Sequence, residues 1–249
     1  MQGMILAAGL GERLRPMTNT TPKPLFDISG TTMIRNAIGY LYAHGIRRIA
    51  INLHHLGGMI KDDLKTRLPR DLTLWFFEEP VLLGTAGGIK GCEPFLKNDE
   101  FIVINSDILA NCDLRAVIRA HHEKNALATL VVRPNPSPAT IGILEEAPDG
   151  RLMRYLGARH PDYAALAAAP APMMFTGIHV LSPAIFGYIP GGRPVNISVE
   201  VYPPLLAAGA PLHTFEYGGY WADIGTPASY QAAQSDINNK LFSPYGIPI

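Results

Sequence analysis

Residues 4–16 read MILAAGLGERLRP, and this stretch decides how the rest of the chain is interpreted. The apolar run 4–8 has the length and composition of a buried strand, and Gly9 and Gly11 follow it directly. Glycines after a buried strand let the backbone approach a ligand and turn its N–H groups toward an anion. The stretch therefore predicts a strand of an α/β sheet that leads into an anion-binding loop.

Two cationic side chains accompany this glycine loop. The loop matches neither common nucleotide fingerprint: Leu14 replaces the third glycine of a dinucleotide-binding loop, and the Gly-Lys-Ser/Thr of a P-loop is missing. Instead, Arg13 offers planar donors suited to bidentate phosphate contacts. Lys23 lies between Pro22 and Pro24, whose rings stiffen its backbone, and it suits a phosphate as a point charge. An ordinary turn with a solvated arginine also fits these residues, so the loop alone does not decide the function.

The first half of the chain alternates apolar strands with amphipathic helices. The predicted strands cover residues 4–8, 47–53, 72–77, 101–104 and 127–132, and the predicted helices cover 32–43, 56–68, 85–95 and 114–123. Short, continuously apolar strands are typical of parallel sheets that helices cover on both faces. We therefore expect a Rossmann-like, three-layer αβα fold.

The pattern loosens after Arg133, where Pro134, Pro136 and Pro138 mark a loop. Antiparallel strands are expected over 141–145 and 152–156, and further strands over 175–181 and 212–217. Helices are expected over 199–208, where Pro203 and Pro204 interrupt the pattern, and from 227 to about 238. The sheet should therefore be mixed but mostly parallel. Since no linker divides the chain, we expect one domain over 1–249.

The composition excludes several classes of protein. A chain of 249 residues with 47% hydrophobic and 17% charged residues is too apolar for disorder. Zero net charge without a basic run argues against a duplex nucleic-acid binder. Cys92 and Cys112 are too few for a disulfide scaffold or a four-cysteine zinc site, and buried thiols in a reducing compartment are expected. With no apolar run of membrane length and no signal segment, we expect a cytoplasmic enzyme or binding domain.

Two acidic residues follow predicted strands at the ends where ligands bind in open α/β sheets. Asp107 comes shortly after strand 101–104, and Asp223 lies just before the last helix. Carboxylates in such positions are hard oxygen ligands for Mg²⁺, and the two could share one ion. The alternative for Asp107 is a turn-capping role. For Asp223 it is the helix N-cap, although Thr226 is better placed for that role.

A second glycine-rich turn, residues 84–88, opens a predicted helix that Thr85 is expected to cap. Such a turn can press against a flat base and offer backbone hydrogen bonds, although an ordinary capped turn has the same composition. Gly142 and Gly177 interrupt predicted strands, where a glycine often marks a bulge.

Taken together, residues 6–16 and the Pro22-Lys23-Pro24 segment resemble the signature of sugar-1-phosphate nucleotidyltransferases, and the resemblance extends over about residues 1–237. The chain is similar in length to single-domain members: N-acetylmuramate-1-phosphate uridylyltransferases, short mannose-1-phosphate guanylyltransferases and heptose-1-phosphate guanylyltransferases. The resemblance implies a Mg²⁺-dependent transfer of a nucleoside monophosphate from GTP or UTP to such a sugar 1-phosphate, in the supply of cell-envelope polysaccharides. It implies no carboxy-terminal β-helix and leaves a homo-oligomer open, while the charge and hydropathy described above lead us to expect no nucleic-acid or membrane partner.

The resemblance also implies a nucleotide-binding half (1–133) and a sugar-binding half (134–240) within the one domain, and it implies roles for individual residues. Arg13, Lys23 and Asp107 match catalytic positions, and Asp107 and Asp223 match the aspartates that hold magnesium. Gly142, Gly177 and Glu200 match positions on the sugar side of the pocket, although Glu200 also fits a solvated helix residue. Positions that match the nucleotide-binding backbone and base loop are Leu6, Ala7, Ala8, Gly9, Gly11, Gly84, Thr85 and Gly87.

One segment departs from the family pattern. Many relatives carry Glu-Lys-Pro after the strand that matches 152–156, and that lysine meets the sugar phosphate, whereas residues 157–161 here read GARHP. Arg159 is the candidate to supply the missing charge, although arginine is not a simple replacement for lysine. Two rival functions remain: a nucleotide-sugar-binding regulatory protein without turnover, and a cytidylyltransferase that acts on a phospho-alcohol.

Overall fold

A computed structural model describes residues 1–66, 68–137, 143–166 and 170–247. Within these residues, a ten-stranded sheet forms the centre of the molecule, and a two-stranded ladder lies beside it. The strands are β1 (Gln2–Leu6), β2 (Arg48–Leu53), β3 (Thr73–Glu78), β4 (Phe101–Asn105), β5 (Ile108–Ala110), β6 (Ala128–Pro134), β7 (Leu144–Glu146), β8 (Leu152–Tyr155), β9 (Ala158–Arg159), β10 (Met173–Leu181), β11 (Leu212–Glu216) and β12 (Trp221–Asp223).

Helices cover both faces of the sheet. They are α1 (Met33–Ala43), α2 (Gly57–Asp63), α3 (Gly84–Gly91), α4 (Glu93–Leu96), α5 (Leu114–Glu123), α6 (Tyr202–Ala207) and α7 (Pro227–Asn238). Apolar side chains of α1, α2 and α5 pack on one face of the sheet, and those of α3, α4 and α6 pack on the other. None of the helices in the described ranges has the length and apolar character needed to cross a membrane.

The strand order explains why one edge of the sheet collects polar groups. Strands β3, β2, β1 and β4 pair in parallel, so their carboxyl ends meet at the same edge. Strand β10 runs antiparallel between β4 and β6, and β11 extends the sheet in parallel to β6. The expected mixed, mostly parallel sheet in a Rossmann-like α/β fold is therefore confirmed.

Alternation along the strands builds the core. In β1, Met4 faces one apolar cluster and Ile5 faces the other, and both are fully buried. Such alternation is expected when successive side chains of a strand point to opposite faces and both faces are covered. The two free cysteines, Cys92 and Cys112, are buried in these two clusters, in agreement with the expectation of buried thiols.

Three helix predictions need correction. Helix α2 ends at Asp63 and does not reach residue 68. The predicted helix 85–95 is two helices, because Pro94 has no N–H to continue the ladder of α3 and lies in the first turn of α4. The predicted helix 199–208 is a π-helical turn (Ile197–Val201) followed by α6, whose first turn holds Pro203 and Pro204.

Helix caps agree with the sequence at two positions and differ at a third. Asp113 caps α5, and Thr226 caps α7 through a capping box with Ser229. Thr85 does not cap α3, because that helix begins at Gly84, with Leu83 as the N-cap residue. Strand β7 begins at Leu144, and the first two positions of the predicted strand 141–145 lie outside the described residues.

Candidate active site

A cleft of about 580 Å³ lies at the carboxyl ends of β1, β2 and β4. This is the edge at which open α/β sheets bind ligands. Its lining includes many of the residues predicted from the sequence, namely Leu6, Ala7, Ala8, Gly9, Gly11, Arg13, Lys23, Gly84, Thr85 and Asp107.

The glycine loop forms one wall of this cleft. Gly11 has a φ of 64°, and a Cβ atom there would lie 2.8 Å from Thr18 Cγ2, so the loop requires glycine at this position. At Gly9, by contrast, a Cβ atom would have no neighbour within 4 Å, so its space opens toward the cleft. The amides of Ala8, Gly9 and Gly11 donate to no protein acceptor among the described residues. Unpaired N–H groups in a glycine loop at a strand end favour an anion.

Asp107 and Asp223 are brought together by the ladder of β5 and β12. Asp107 directly precedes β5, Asp223 pairs with Ile108 across the ladder, and Ile224 N donates to Asp107 O at 3.0 Å. Each aspartate also has a buried carboxylate oxygen, Oδ1, without a hydrogen-bond partner among the described residues. The fold therefore brings Asp107 and Asp223 next to each other.

Two cations face this carboxylate pair. Lys23 Nζ forms an ion pair with Asp107 Oδ2. The Arg13 guanidinium packs on Gly225, where a Cβ would lie 2.5 Å from Nη2, so a glycine is needed for this approach. Burial, followed by the Asp107 charge, raises the pKa of Asp223, while Lys23 and Arg13 act in the opposite direction. The four side chains thus form one electrostatic group beside the glycine loop.

The carboxylate pair suits magnesium. Mg²⁺ is usually held by one or two carboxylates, with waters and substrate phosphate oxygens completing its shell. The two unpartnered Oδ1 atoms offer such a pair, since an unpaired buried carboxylate oxygen is costly without a partner. No group of three or more potential ligands from His, Cys, Asp and Glu exists within the described ranges, so a protein-only cage is absent there.

The second glycine turn is tied to a segment from the other half of the chain. The amides of Ala86 and Gly87 both donate to Val195 O, at 2.9 and 3.2 Å, and Thr85 Oγ1 accepts from Ile197 N at 2.9 Å. Gly84 has a φ of 71°, and its Cβ would meet Val195 O at 2.7 Å. Gly84 and Thr85 line the cleft, whereas the Gly87 amide is already occupied and Gly87 is not part of the lining.

Gly177 lies at a bulge of β10, where the pairing register with β6 shifts. Its φ is 81°, and a Cβ would lie 2.8 Å from Asn105 Nδ2. Asn105 itself lines the cleft, so Gly177 acts on the cleft wall through this neighbour. Gly142 lies outside the described residues.

Glu200 and Arg159 are not part of the cleft lining. Glu200 Oε1 accepts from Asn196 N at 2.8 Å, and Arg193 pairs with Oε2. These bonds lower the pKa of Glu200, the backbone bond most, and make it a brace for Asn196, which does line the cleft. Arg159 is exposed, with its guanidinium 4.7 Å from the centre of the Tyr163 ring.

Several residues of the cleft were missed by the sequence analysis. Asn52 and Asn105 lie at the carboxyl ends of β2 and β4, and Asn196 arrives from the second half of the chain. A polar residue that ends an apolar strand at the ligand-binding edge was the available signal for the first two. Others in the lining are Leu10, Glu12, Pro24, Leu82, Ser106 and Gly225.

Comparison with known proteins identifies the family. The model of the nucleotidyl transferase family matches residues 2–240. UTP–glucose-1-phosphate uridylyltransferase of Synechocystis sp. is 28% identical, over 97% of this chain and 64% of the relative. Mannose-1-phosphate guanyltransferase of Yarrowia lipolytica is 30% identical, over 92% of this chain and 62% of the relative. The chain thus spans less than two thirds of the length of these relatives.

A solved structure supports the same fold. The chain resembles that of a putative glucose-1-phosphate thymidylyltransferase from Bacillus anthracis with a TM-score of 0.77, at 23% identity and with 94% of each chain covered. At this identity the likeness concerns the fold alone. The family match covers nearly the whole chain and includes both walls of the cleft, and from it we conclude that this chain belongs to the nucleotidyl transferase family.

Proposed function

We propose that this protein transfers a nucleoside monophosphate from a nucleoside triphosphate to a sugar 1-phosphate and releases pyrophosphate. The observation that carries the proposal is the convergence of four charged side chains: Asp107, Lys23 and Arg13 line the cleft with the glycine loop, and Asp223 lies beside Asp107, outside the lining itself. The family match supports it, as do the names of the relatives, which describe transfer of a nucleotide to glucose 1-phosphate or mannose 1-phosphate.

The proposed chemistry needs no protein nucleophile. A phosphate oxygen of the sugar 1-phosphate, already anionic at neutral pH, attacks the α-phosphorus. The bond from that phosphorus to the bridging oxygen of the β-phosphate breaks, and pyrophosphate leaves with the electron pair. Catalysis then consists of positioning and charge neutralisation. Arg13 binds the departing pyrophosphate, and Lys23 lies between the α-phosphate and the incoming sugar phosphate.

Asp107 and Asp223 would hold Mg²⁺ through their unpartnered oxygens. Such an ion would supply positive charge that neutralises the substrate phosphates. In the protein itself, Lys23 offsets the Asp107 charge, and the amides of Ala8, Gly9 and Gly11 bind phosphate oxygens.

We assign nucleotide binding mainly to residues 1–133 and sugar binding mainly to 134–240 within one domain. The proposed nucleotide contacts are Leu6, Ala7, Ala8, Gly9, Gly11, Gly84 and Thr85, whereas Gly87 supports the second glycine turn through its bond to Val195. On the proposed sugar side, Gly177 and Glu200 act through Asn105 and Asn196, which line the cleft. Gly142 is a further proposed sugar-side residue, and Arg159 would reach the sugar phosphate only from outside the cleft lining. We propose GTP or UTP as the donor, mannose, heptose or N-acetylmuramate 1-phosphate as the acceptor, and the cytoplasm as the place of reaction.

The test is a matrix of nucleoside triphosphates (GTP, UTP, dTTP, CTP and ATP) against a panel of sugar 1-phosphates and a phospho-alcohol, in which turnover is measured as pyrophosphate release with Mg²⁺. We expect one pair to give turnover that EDTA abolishes and Mg²⁺ restores. Absence of turnover with every pair would favour a regulatory binder, although the presence of all four charged residues argues against that. Turnover only with CTP and a phospho-alcohol would show that the acceptor is a phospho-alcohol and not a sugar phosphate.

A further inference from the structure

A buried pair of side chains lies between the two loops that line the cleft. Asn52 is at the carboxyl end of β2 and 2% exposed, and Glu79 directly follows β3 and is 3% exposed. Asn52 Nδ2 donates to Glu79 Oε1 at 2.7 Å. We call this pair the Asn52–Glu79 brace.

Each end of the brace holds one loop. Asn52 Oδ1 accepts from Ala7 N at 2.8 Å, at the start of the glycine loop. Glu79 Oε2 accepts from Leu83 N at 2.8 Å, directly before α3 and the second glycine turn. Two strands and two loops are therefore joined by one continuous chain of hydrogen bonds, from Ala7 to Leu83.

Gly88 leaves room for the brace. A Cβ atom at Gly88 would lie 2.5 Å from Asn52 Nδ2 and 2.8 Å from Glu79 Oε1. The Asn52–Glu79 brace therefore occupies the space that a side chain at position 88 would need, which explains one of the glycines of α3. Helix α3 packs directly against the brace for the same reason.

The brace contains a buried carboxylate, that of Glu79. Among the residues that the structure describes, Glu79 forms no ion pair, and its side chain is held by neutral donors, the Asn52 amide and the Leu83 N–H. A buried carboxylate is costly unless its hydrogen bonds are made, so a movement of either loop that breaks one of them is penalised. The brace therefore opposes changes in the spacing of the loops.

We propose that Asn52 and Glu79 are positioning residues that set the distance between the two nucleotide loops and thereby the affinity for the nucleoside triphosphate. This inference rests on the proposed function. Both loops line the nucleotide side of the cleft, so the brace acts on the donor substrate and leaves the sugar phosphate unaffected.

The test exchanges hydrogen-bond donors and acceptors within the brace. Asn52→Asp places a carboxylate oxygen against Glu79 Oε1, and Glu79→Gln places an amide group where two N–H donors already point. The double variant Asn52→Asp/Glu79→Gln restores every bond at unchanged net charge. In the double variant, the carboxylate at position 52 accepts from Ala7 N and from the side-chain amide introduced at position 79. The oxygen of that amide accepts from Leu83 N.

We expect each single variant to raise the KM for the nucleoside triphosphate by about tenfold or more, while the KM for the sugar phosphate changes by less than about threefold. The double variant should return the nucleotide KM to within about threefold of wild type. Asn36→Asp is the matched control. Asn36 is also buried, and its Oδ1 accepts a hydrogen bond from Tyr245 N at 2.8 Å. It does not line the cleft. Its KM values should stay at the wild-type level.

A purely structural role would lower the melting temperature and kcat without a selective change in the nucleotide KM, and that result would overturn the proposal. A double variant no better than the worse single variant would do the same. If wild type shows no turnover with any substrate pair, the proposed function fails. The brace is then tested by the Kd of the tightest-binding triphosphate in calorimetry, with the same expected order of variants.

Discussion

At the scale of single residues, the site depends on the balance of charge around two carboxylates. Asp107 is paired with Lys23, whereas Asp223, which is also half-buried, faces the Asp107 charge. Like charges at short distance in a partly buried site oppose folding, unless cations compensate for them. Lys23 and Arg13 provide this compensation in the protein alone.

Loss of either member of the Lys23–Asp107 pair should impair turnover strongly. We expect Lys23→Ala and Asp107→Ala to lower kcat by roughly 10²- to 10³-fold, as the loss of one preorganised electrostatic group does elsewhere. Pyrophosphate release under saturating substrates measures this effect, with the circular dichroism spectrum as the check on folding. Near-normal turnover in both variants would refute the assigned roles.

Asp223→Asn should stabilise the metal-free protein while lowering turnover. Because the pKa of Asp223 is raised in the folded state, its ionised form opposes folding, and this penalty grows as the pH rises through the ordinary carboxyl range. The variant should therefore melt at a higher temperature at neutral pH, with roughly 2–4 °C for each kcal/mol gained. The difference in melting temperature between the variant and wild type should become smaller as the pH is lowered toward about 4, where the Asp223 carboxyl becomes protonated in both the folded and the unfolded chain.

Magnesium provides the control for the Asp223 experiment. An ion that binds only the folded protein raises its melting temperature, so Mg²⁺ should stabilise wild type and leave Asp223→Asn almost unchanged. A lower melting temperature of the metal-free variant at neutral pH would contradict the explanation by burial and charge.

The roles of charged residues were predictable where the charge follows an apolar strand or a turn fixed by proline. Arg13, Lys23 and Asp107 follow an apolar strand or a proline-fixed turn, and each lines the cleft. Asn52 and Glu79 escaped detection because an amide at a strand end has many uses, and their hydrogen bonds depend on the packing of α3.

At the scale of elements, two irregular features shape the cleft. The bulge in β10 carries Gly177 into contact with Asn105, and the short ladder of β5 and β12 delivers the second aspartate. Bulges often lie next to functional sites, where they redirect a neighbouring side chain.

Gly177→Ala tests the bulge. With a φ of 81° and Asn105 Nδ2 only 2.8 Å from the new Cβ, alanine should destabilise the fold by about 1–3 kcal/mol. Urea unfolding measures the loss. Gly187→Ala is the matched control, since no atom lies within 4 Å of its Cβ position, and it should change stability by less than about 0.5 kcal/mol. Equal losses in both variants would show that the left-handed backbone is not the cause.

Most elements were predictable because apolar runs and caps are local signals. Helix α5 has the predicted bounds together with its predicted Asp113 cap, and Thr226 and Pro227 correctly marked the start of α7. The break between α3 and α4 and the π-helical turn before α6 were missed, since both depend on how prolines are accommodated by surrounding packing.

At the scale of the whole molecule, buried histidines couple the core to pH. His121 and His179 are buried between the sheet and its helices, and burial lowers their pKa to about 4 and about 3, respectively. Both are therefore neutral in the folded protein at pH values where the unfolded chain already binds protons.

Stability should therefore fall as the pH drops from about 6.5 toward 4. In this window, each histidine with a lowered pKa reduces the free energy of unfolding by up to about 1.4 kcal/mol per pH unit, because the unfolded chain binds the proton at a higher pH than the folded protein does. His121→Gln should make the decline shallower, since one such group is removed. Urea unfolding at pH 7 and pH 5 measures the slope.

His122→Gln serves as the control for this experiment, because the side chain of His122 is about half exposed. It should not make the decline shallower, because the His122 imidazole is not buried and pairs with Glu100. A slope that stays unchanged in His121→Gln would exclude burial of this imidazole as a source of the pH dependence.

The layered architecture followed from the sequence because strand and helix periods repeat along the first half of the chain. The contact between the halves did not follow, since the bonds from Val195 and Ile197 to the second glycine turn join distant segments through backbone atoms. Backbone acceptors carry no signature in the amino-acid sequence.

The position of Asp223 on β12, late in the chain, also has a consequence for the synthesis of the protein itself. During translation, the glycine loop, Lys23 and Asp107 leave the ribosome long before the segment that supplies the second carboxylate. Under the proposed function, a nascent chain remains inert toward triphosphates until this late segment has been released and has paired with β5. Emergence of β12 and onset of activity thus coincide.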